Sequence, residues 1–424
     1  MHNWFLLLIL YLPFQVALNP ARGFDLSSLR VLIVLFFLFW LAKNYKKIFE
    51  TIREGVYLKN IQSAGLILFF VAAFLSLIGA ENVFWGLRKI VFFMSVFPLY
   101  FLTLALVNNL EKIKKIILIL VGGGAVFALV GLLQFLSVFV FGLEGVYNFW
   151  AWNVVPVFSG FNFGAMLLSY PSWLVNVNGE TIMRAFSLFS DPHMFSFYVG
   201  MLAPLAAVYF NSYIFFFLMF VGLLLSFARG AYLAIIAAFL FMGVLFWFFA
   251  KNKKAAVALC SLILVFIIPI TPISDRFYSS FDADEGSNSG RLEMWRQSGQ
   301  TGLQYFWSGV GLGNYSSVVD SGFGYRNPIT AHNLYLDIFS EIGFLGLFFW
   351  LFLLLGTIWQ LFQKLKKSDN TKEKYIIIGL LGSLSYFLVH SFFETPVYNP
   401  SVLSLLMVIL GISSAIIIAP NKQH

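Results

Sequence analysis

Five histidines in a chain of 424 residues make each one conspicuous, and His332 is placed to do chemistry. It stands in Ala331-His332-Asn333, at the end of a long polar stretch and just before an apolar run that opens at Leu334. Imidazole is the side chain whose ordinary pKa lets it take or give a proton near neutral pH. Three arginines keep it company: Arg184, Arg229 and Arg291. A guanidinium offers a planar fork of donors that matches phosphate or carboxylate, and it stays charged when partly buried. His390 and Glu394, at the end of a later apolar run, are secondary candidates. No His-x-x-x-His pair occurs and Cys260 is the single cysteine, so no metal constellation is expected. Gly309-Val-Gly311-Leu-Gly313 follows no strand–helix–strand pattern, so a dinucleotide cofactor is not expected either.

These groups must be positioned by elements that live in a membrane. Hydrophobic residues make up 60% of the chain and charged residues 11%, against roughly 25% charged in an average soluble domain. With 52 Phe, 18 Tyr and 11 Trp, a water-soluble protein could not hide so much apolar surface behind so few charges. A helix needs about 20 apolar residues to cross a hydrocarbon core of roughly 30 Å. The sequence predicts an all-α polytopic membrane protein of about twelve spans. They lie near Trp4–Leu18, Leu29–Ala42, Gln62–Ala80, Ile90–Val107, Ile116–Phe141, His193–Phe210, Tyr213–Phe227, Ala231–Ala250, Ala255–Ile270, Ile342–Leu361, Tyr375–His390 and Val402–Ala419. The first run has no basic residue before it and a poor cleavage site after it, so it reads as an uncleaved span. The whole of 1–424 forms one integral membrane domain with two long extramembrane segments, 142–192 and 271–335, that contain short helices. Loops of that length tend to be functional.

Charge sets the expected orientation. With both termini cytoplasmic, the lysine clusters around Lys43, Lys112, Lys251 and Lys364 all fall on the inner side, as the bias of basic residues toward the cytoplasm requires. The net charge of +8 is therefore a topology signal and not a sign of nucleic-acid binding. The same assignment sorts basic residues by type. The inner ones are nearly all Lys, whereas the outer ones are Arg with the exception of Lys89. For any single arginine an ion pair with an outer acid such as Asp191, Asp275 or Glu293 accounts for it equally well. For the set, an anionic ligand on the outer face is the better account. Trp150, Trp152, Trp173 and their aromatic neighbours in the first long segment suit the bilayer interface, and could also form platforms for sugar rings. The middles of the spans carry almost no ionisable residues, which counts against ion-coupled transport.

Four stretches resemble the O-antigen ligase / O-antigen polymerase superfamily of bacterial envelope glycosyltransferases. Arg184-Ala-Phe-Ser-Leu-Phe-Ser-Asp-Pro192 resembles the family's Arg-led segment, with Asp191-Pro192-His193 in place of its Asn-Pro-Asn ending. Phe227-Ala-Arg229-Gly-Ala231 is similar to its Ser-Arg-Gly-Ala junction. Gly290-Arg291-Leu-Glu-Met-Trp295 with Gly309-Val-Gly-Leu-Gly-Asn-Tyr315 resembles its outer-loop Arg…Trp…Gly-x-Gly stretch. Ala331-His332-Asn333 followed by Glu341-Ile-Gly-Phe-Leu-Gly346 is similar to its His-Asn…Glu-x-Gly-x-x-Gly signature.

The resemblance implies an undecaprenyl-diphosphate-linked glycan as donor and a metal-independent reaction on the outer side of the inner membrane. A ligase would pass the glycan to a sugar of lipid A–core, a polymerase to another lipid-linked repeat. It implies Arg229, Arg291 and Arg184 at the diphosphate and His332 as general base, with membrane lipids around the protein and no other cofactor. Ligase is the first reading and polymerase the alternative; a non-enzymatic exporter of an anionic glycolipid would also explain outer arginines. The partner that orients His332 is not readable locally. Asp337, five residues on, is about 140° around a helix and points elsewhere.

Overall fold

The computed structural model describes residues 1–21, 24–53, 60–161, 172–177, 179–208, 213–268, 272–282, 286–319 and 330–419. Both long segments expected outside the membrane are thus described only in part. The first third of the chain holds α1 (His2–Tyr11), α2 (Ser28–Arg53), α3 (Ile61–Leu75), α4 (Val83–Val96), α5 (Pro98–Leu106) and α6 (Leu110–Phe141). Short helices α7 (Leu143–Phe149) and α8 (Val155–Ser159) lead to α9 (Pro192–Val208), α10 (Tyr213–Leu225) and α11 (Arg229–Phe248). Next come α12 (Lys253–Ser261), α13 (Leu264–Ile267), α14 (Pro272–Tyr278), α15 (Gly286–Gln304) and α16 (Tyr315–Val319). The chain closes with α17 (Leu334–Lys367), α18 (Thr371–His390) and α19 (Pro400–Ile418). Two antiparallel hairpins, β1 (Ala17–Ala21) with β2 (Phe24–Ser27) and β3 (Leu174–Val177) with β4 (Glu180–Met183), are the described sheet structure.

This is an all-α polytopic membrane protein. Among the described residues, seven helical stretches are long and apolar enough to cross a membrane, or eight if the bent pair Lys253–Ile267 and Pro272–Phe281 counts as one span. Each of the twelve apolar runs meets a helix, but several helices are shorter than their runs. The first run is a ten-residue helix ended by a 3-10 turn that contains Pro13, and Leu18 already belongs to β1. Pro192–Val208 and Tyr213–Leu225 are short apolar helices. They are separate elements packed on one another. The eleventh run is α18, whose first turn carries Lys372, Glu373 and Lys374.

Helix α19 is the central post, with side chains buried almost from end to end. Around it, α18 packs on α9 and α11, α17 on α3, and α6 on α10. The two ends of the bundle differ in charge. At one end Lys112 and Lys115 lie near His2, Lys364 faces Glu373, and Lys374 donates to the Phe249 carbonyl. The opposite end carries the arginines.

Helix α17 is broken at Gly343, whose φ of 75° and ψ of −169° no ordinary side chain tolerates well. A Cβ there would stand 2.5 Å from the Trp307 carbonyl, so the close approach of the 306–310 turn requires glycine. The break frees backbone groups that this turn then satisfies. Phe344 N–H donates to Phe306 O at 2.7 Å, and Val310 N–H to Ser340 O at 2.9 Å. The Gly309-x-Gly-x-Gly313 stretch is therefore a backbone-packing device. It seats a loop on the kink and on the turn around Ala80.

Candidate active site

His332 is set in place by its neighbours in the chain. Asn333 caps α17, its side chain accepting from Tyr335 N at 3.0 Å and Leu336 N at 3.2 Å. Asp337, one turn into the helix, accepts from Ala331 N at 2.8 Å and from the Thr395 hydroxyl. It does not reach the imidazole, as its position around the helix predicts. Between these two anchors His332 is forced to φ 47°. Such a left-handed residue costs about 1–3 kcal/mol and persists only where its surroundings over-determine it. Ser187, beside Arg184, and Phe227, beside Arg229, have the same backbone hand. Among the described residues three of the four non-glycine positions with positive φ thus lie near the candidate residues, Lys251 being the fourth.

The orienting partner is Glu394, in the turn between α18 and α19. Its Oε2 lies 3.0 Å from His332 Nδ1, and its Oε1 accepts from Arg291 Nη2 at 2.8 Å. His193 Nδ1 stands 3.3 Å from the same Oε1. Beyond it, Arg184 brings Nη1 and Nη2 to 3.4 and 3.5 Å of His193 Nε2. One carboxylate therefore joins three segments far apart in sequence, and Leu334 N–H to Ser391 O at 2.9 Å pins the start of α17 to the end of α18.

Burial pushes the Glu394 carboxyl up, but His193, His332 and Arg291 together outweigh it and hold it well below the ordinary glutamate range. In return the Glu394 charge raises His332 above an ordinary histidine, against the desolvation that lowers it. A carboxylate can only accept, so Nδ1 carries the proton and Nε2 keeps its lone pair. Among the described residues no side chain hydrogen-bonds Nε2, and the imidazole is 43% exposed. That is the arrangement of an oriented base.

Arg184 is buried, with its donors committed. Nε donates to Ser226 O at 2.7 Å and Nη1 to Ser172 O at 3.0 Å. Burial lowers its guanidinium to about 10, so it is still charged at neutral pH. Its backbone is tied too: Ala185 N–H donates to Leu225 O at 2.8 Å and Gln134 Nε2 to Arg184 O at 3.1 Å. Asp191 is raised to about 6, first by burial and then by the Glu394 charge, and accepts from His193 N at 2.8 Å.

Arg229 opens α11 and donates to Ser279 O at 3.1 Å. It lies within electrostatic reach of Arg276, Arg291 and Arg184. Gly230 lets the 390–393 turn press in, since a Cβ there would stand 2.7 Å from the Phe393 side chain, one residue from Glu394. Arg291 comes from α15, held on the site by Trp295 beside Phe393 at 6.3 Å and by the Ser298 hydroxyl, which donates to Tyr315 OH at 2.6 Å.

The structure thus gathers Arg184, Arg229, Arg291 and His332 at one end of the bundle. It adds His193, Glu394 and Arg276, of which only Glu394 had been singled out as a secondary candidate. His390 belongs to the packing beneath: it is buried and stacked on Phe197 at 3.7 Å. Trp173 is interior as well, stacked on Phe186 at 4.5 Å, so it offers no platform to a ligand. Trp152 and Phe149 are exposed, as interfacial rings would be. Among the described residues no group of three His, Cys, Asp or Glu side chains is placed to hold a metal ion.

The fold and this end of the bundle define a multi-pass membrane protein with an ionised, arginine-rich site beside an oriented imidazole. Residues 214–351, which include Arg229, Arg291 and His332, match the O-antigen ligase family. No curated protein matches the chain. Arg184, His193 and Glu394 lie outside the matched segment, and geometry alone brings them to it.

Proposed function

We propose that this protein is an O-antigen ligase that transfers a glycan from undecaprenyl diphosphate to a hydroxyl of a lipid A–core sugar. The reaction takes place on the periplasmic face of the inner membrane, with both termini of the chain cytoplasmic. The observation that carries the reading is Glu394: one buried carboxylate holds the imidazole of His332 and the guanidinium of Arg291 within hydrogen-bond distance.

In the proposed step, the acceptor oxygen attacks the anomeric carbon of the donor glycan. The bond from that carbon to the diphosphate oxygen breaks, and the hydroxyl proton passes to His332 Nε2. Glu394 stabilises the imidazolium as it forms. General-base catalysis of this kind contributes about 10²–10⁴-fold. Charge grows meanwhile on the bridging oxygen and the phosphates, and the guanidinium groups of Arg229 and Arg291 meet it. A prepositioned donor of this sort is worth roughly 3–4 kcal/mol in the barrier. Arg184 contributes through position: its charge and its grip on the Ser226 carbonyl fix His193, and through it Glu394.

The test uses purified protein in detergent, given lipid-diphosphate glycan and lipid A–core, with and without EDTA. The expected result is coupling that is unaffected by EDTA and abolished in His332→Ala. Unimpaired coupling by that variant would remove the general-base role, and sensitivity to EDTA would remove the metal-free mechanism. Elongation of the lipid-linked donor, with lipid A–core left unmodified, would make the protein a polymerase.

A further inference from the structure

On the flank that leads to the lysine-bearing end of the bundle, α1 and α6 run side by side in the same direction. His2 lies near Lys112 and Lys115, and farther along the Leu10 side chain meets Gly123. Between the two helices is a groove of about 420 Å³, walled by Leu7, Leu10, Tyr11 and Phe14 on one side and by Gly122 and Val126 on the other. The Tyr11 hydroxyl is committed elsewhere, to Ser28 Oγ at 2.8 Å and to the Val16 amide at 3.0 Å, so the residue gives the groove only its ring. Phe14 is held edge-on against Phe127 at 6.2 Å, which fixes that wall.

Three consecutive glycines, Gly122-Gly123-Gly124, stand in the interior of α6, a helix of 32 residues. Glycine weakens a helix interior, so each calls for a reason. Two have one in the packing. A Cβ at Gly123 would stand 3.3 Å from the Leu10 side chain, and one at Gly124 would stand 2.5 Å from Leu202. A Cβ at Gly122 would meet nothing within 4 Å among the described residues. The helix is bare there with no protein neighbour to account for it, and the space in front of it is the groove.

Positive charge gathers at the foot of the groove. Lys112 and Lys115 sit on the first two turns of α6, where the helix dipole is also positive. Lys114 is matched by Glu111 at 2.5 Å, and Lys372 lies within electrostatic reach of the same acid. Among the described residues no acid pairs with Lys112 or Lys115, although Lys112 Nζ donates to Asn108 Oδ1 at 2.9 Å. At 1.5 Å per residue, Leu7 stands about 7.5 Å above His2 and Gly122 about 10.5 Å above Lys115. One leaflet of hydrocarbon is about 15 Å deep, half of roughly 30 Å. A phosphate held at the lysines therefore sends its acyl chain through the groove without leaving that leaflet.

We propose that this groove binds an anionic phospholipid, with the phosphate on Lys112 and Lys115 and one acyl chain lying over Gly122. Basic pockets between membrane helices on the cytoplasmic side hold anionic headgroups in this way. A lipid without net charge leaves the lysines unmatched, and a second copy of the chain brings two clusters of like sign together. With the termini cytoplasmic, the lipid comes from the inner leaflet, the side opposite the proposed transfer, and the site is independent of that chemistry.

The experiment is native mass spectrometry of the full-length protein in detergent, titrated with dioleoylphosphatidylglycerol or dioleoylphosphatidylcholine. The wild type is expected to hold the anionic lipid at least tenfold more tightly than the zwitterionic one. Gly122→Phe fills the groove, and the double variant Lys112→Gln/Lys115→Gln removes the anchor. Each is expected to weaken phosphatidylglycerol binding at least tenfold, whereas Lys366→Gln, which alters a lysine elsewhere at the same end, leaves it unchanged. The two site variants change opposite ends of the site, so a folding defect in one leaves the other to decide. Equal affinity of the wild type for both lipids overturns the proposal, as does wild-type affinity in either site variant. An equal loss in Lys366→Gln also overturns it, by reducing the effect to overall charge. A dimer that forms in lipid-free detergent and is lost in Gly122→Phe gives the groove to a second copy of the chain instead.

Discussion

Glu394→Gln keeps the shape of the buried hub while removing its charge, and its effect can be worked out from the two bonds it makes. Arg291 is donor-only, so the new amide must turn its oxygen to Arg291 and its NH₂ to His332 Nδ1. Nδ1 then becomes the acceptor, the proton moves to Nε2, and the nitrogen facing substrate can no longer take a proton. The charge-assisted bond at 3.0 Å would also be lost from the imidazolium that forms during the reaction. A hydrogen bond to a charged group is worth about 1.5–3 kcal/mol, so this loss alone slows transfer by roughly 10- to 150-fold. The tautomer change adds to it, up to the whole general-base contribution of about 10²–10⁴-fold. The assay is kcat/KM for donor as a function of pH. Glu394 is what raises His332, so the acid limb of the wild-type profile should lie above an ordinary histidine, about 6.5, and move down in the variant. A variant with wild-type rate, or one whose acid limb stays put while His332→Ala is inactive, would refute the orienting role.

Further outcomes follow from the same geometry. Arg229→Ala should lower kcat by about 10²–10³-fold, and Arg229→Lys should recover only part of it, because an ammonium lacks the planar fork. A single displacement inverts the anomeric carbon, so product linkage determined by NMR should be opposite in configuration to the donor linkage. Gly343→Ala should destabilise the fold by more than about 1 kcal/mol in thermal melting, through both the positive φ and the clash with the Trp307 carbonyl. The His332–Glu394 contact contributes stability that is complete below the unfolded histidine pKa, about 6.5, and fades as pH rises through the elevated folded value. Denaturation midpoints against pH should show that loss in the wild type and not in His332→Ala.

Much of this was legible in the chain because it depends on local pattern. Apolar runs fix helices, and Ala331-His332-Asn333 before Leu334 marks a capped helix start with a polar group poised above it. The Arg229 and Arg291 motifs point to the same end because charge sorting does. The hub was harder to see. Glu394 is 62 residues from His332, and the carboxylate is shared with His193 and Arg291 from two other segments, so no spacing rule joins them. His193 looked like one substitution in a family-like ending. Only the fold shows that its ring bridges Arg184 and Glu394. The glycine-rich loop was set aside as a nucleotide motif, and its packing purpose depends on a helix break that periodicity smooths over. The first apolar run was read too long, because Pro13 lies in the turn that ends its helix and Leu18 belongs to β1.

The interruption of α17 at Gly343 has a mechanical consequence. The piece that presents His332 is clamped to the Ser391 carbonyl and the 306–310 turn, whereas the longer piece beyond the break runs along α3, joined to it by Gly65 against Leu353 and by the Gln62–Gln360 hydrogen bond at 2.7 Å. When a bilayer thickens or thins, helices adapt by tilting at a cost of fractions of a kcal/mol per Å. Because the break lies between this helix pair and His332, a change in the tilt of the pair is expected to bend the chain at Gly343 before it displaces the imidazole.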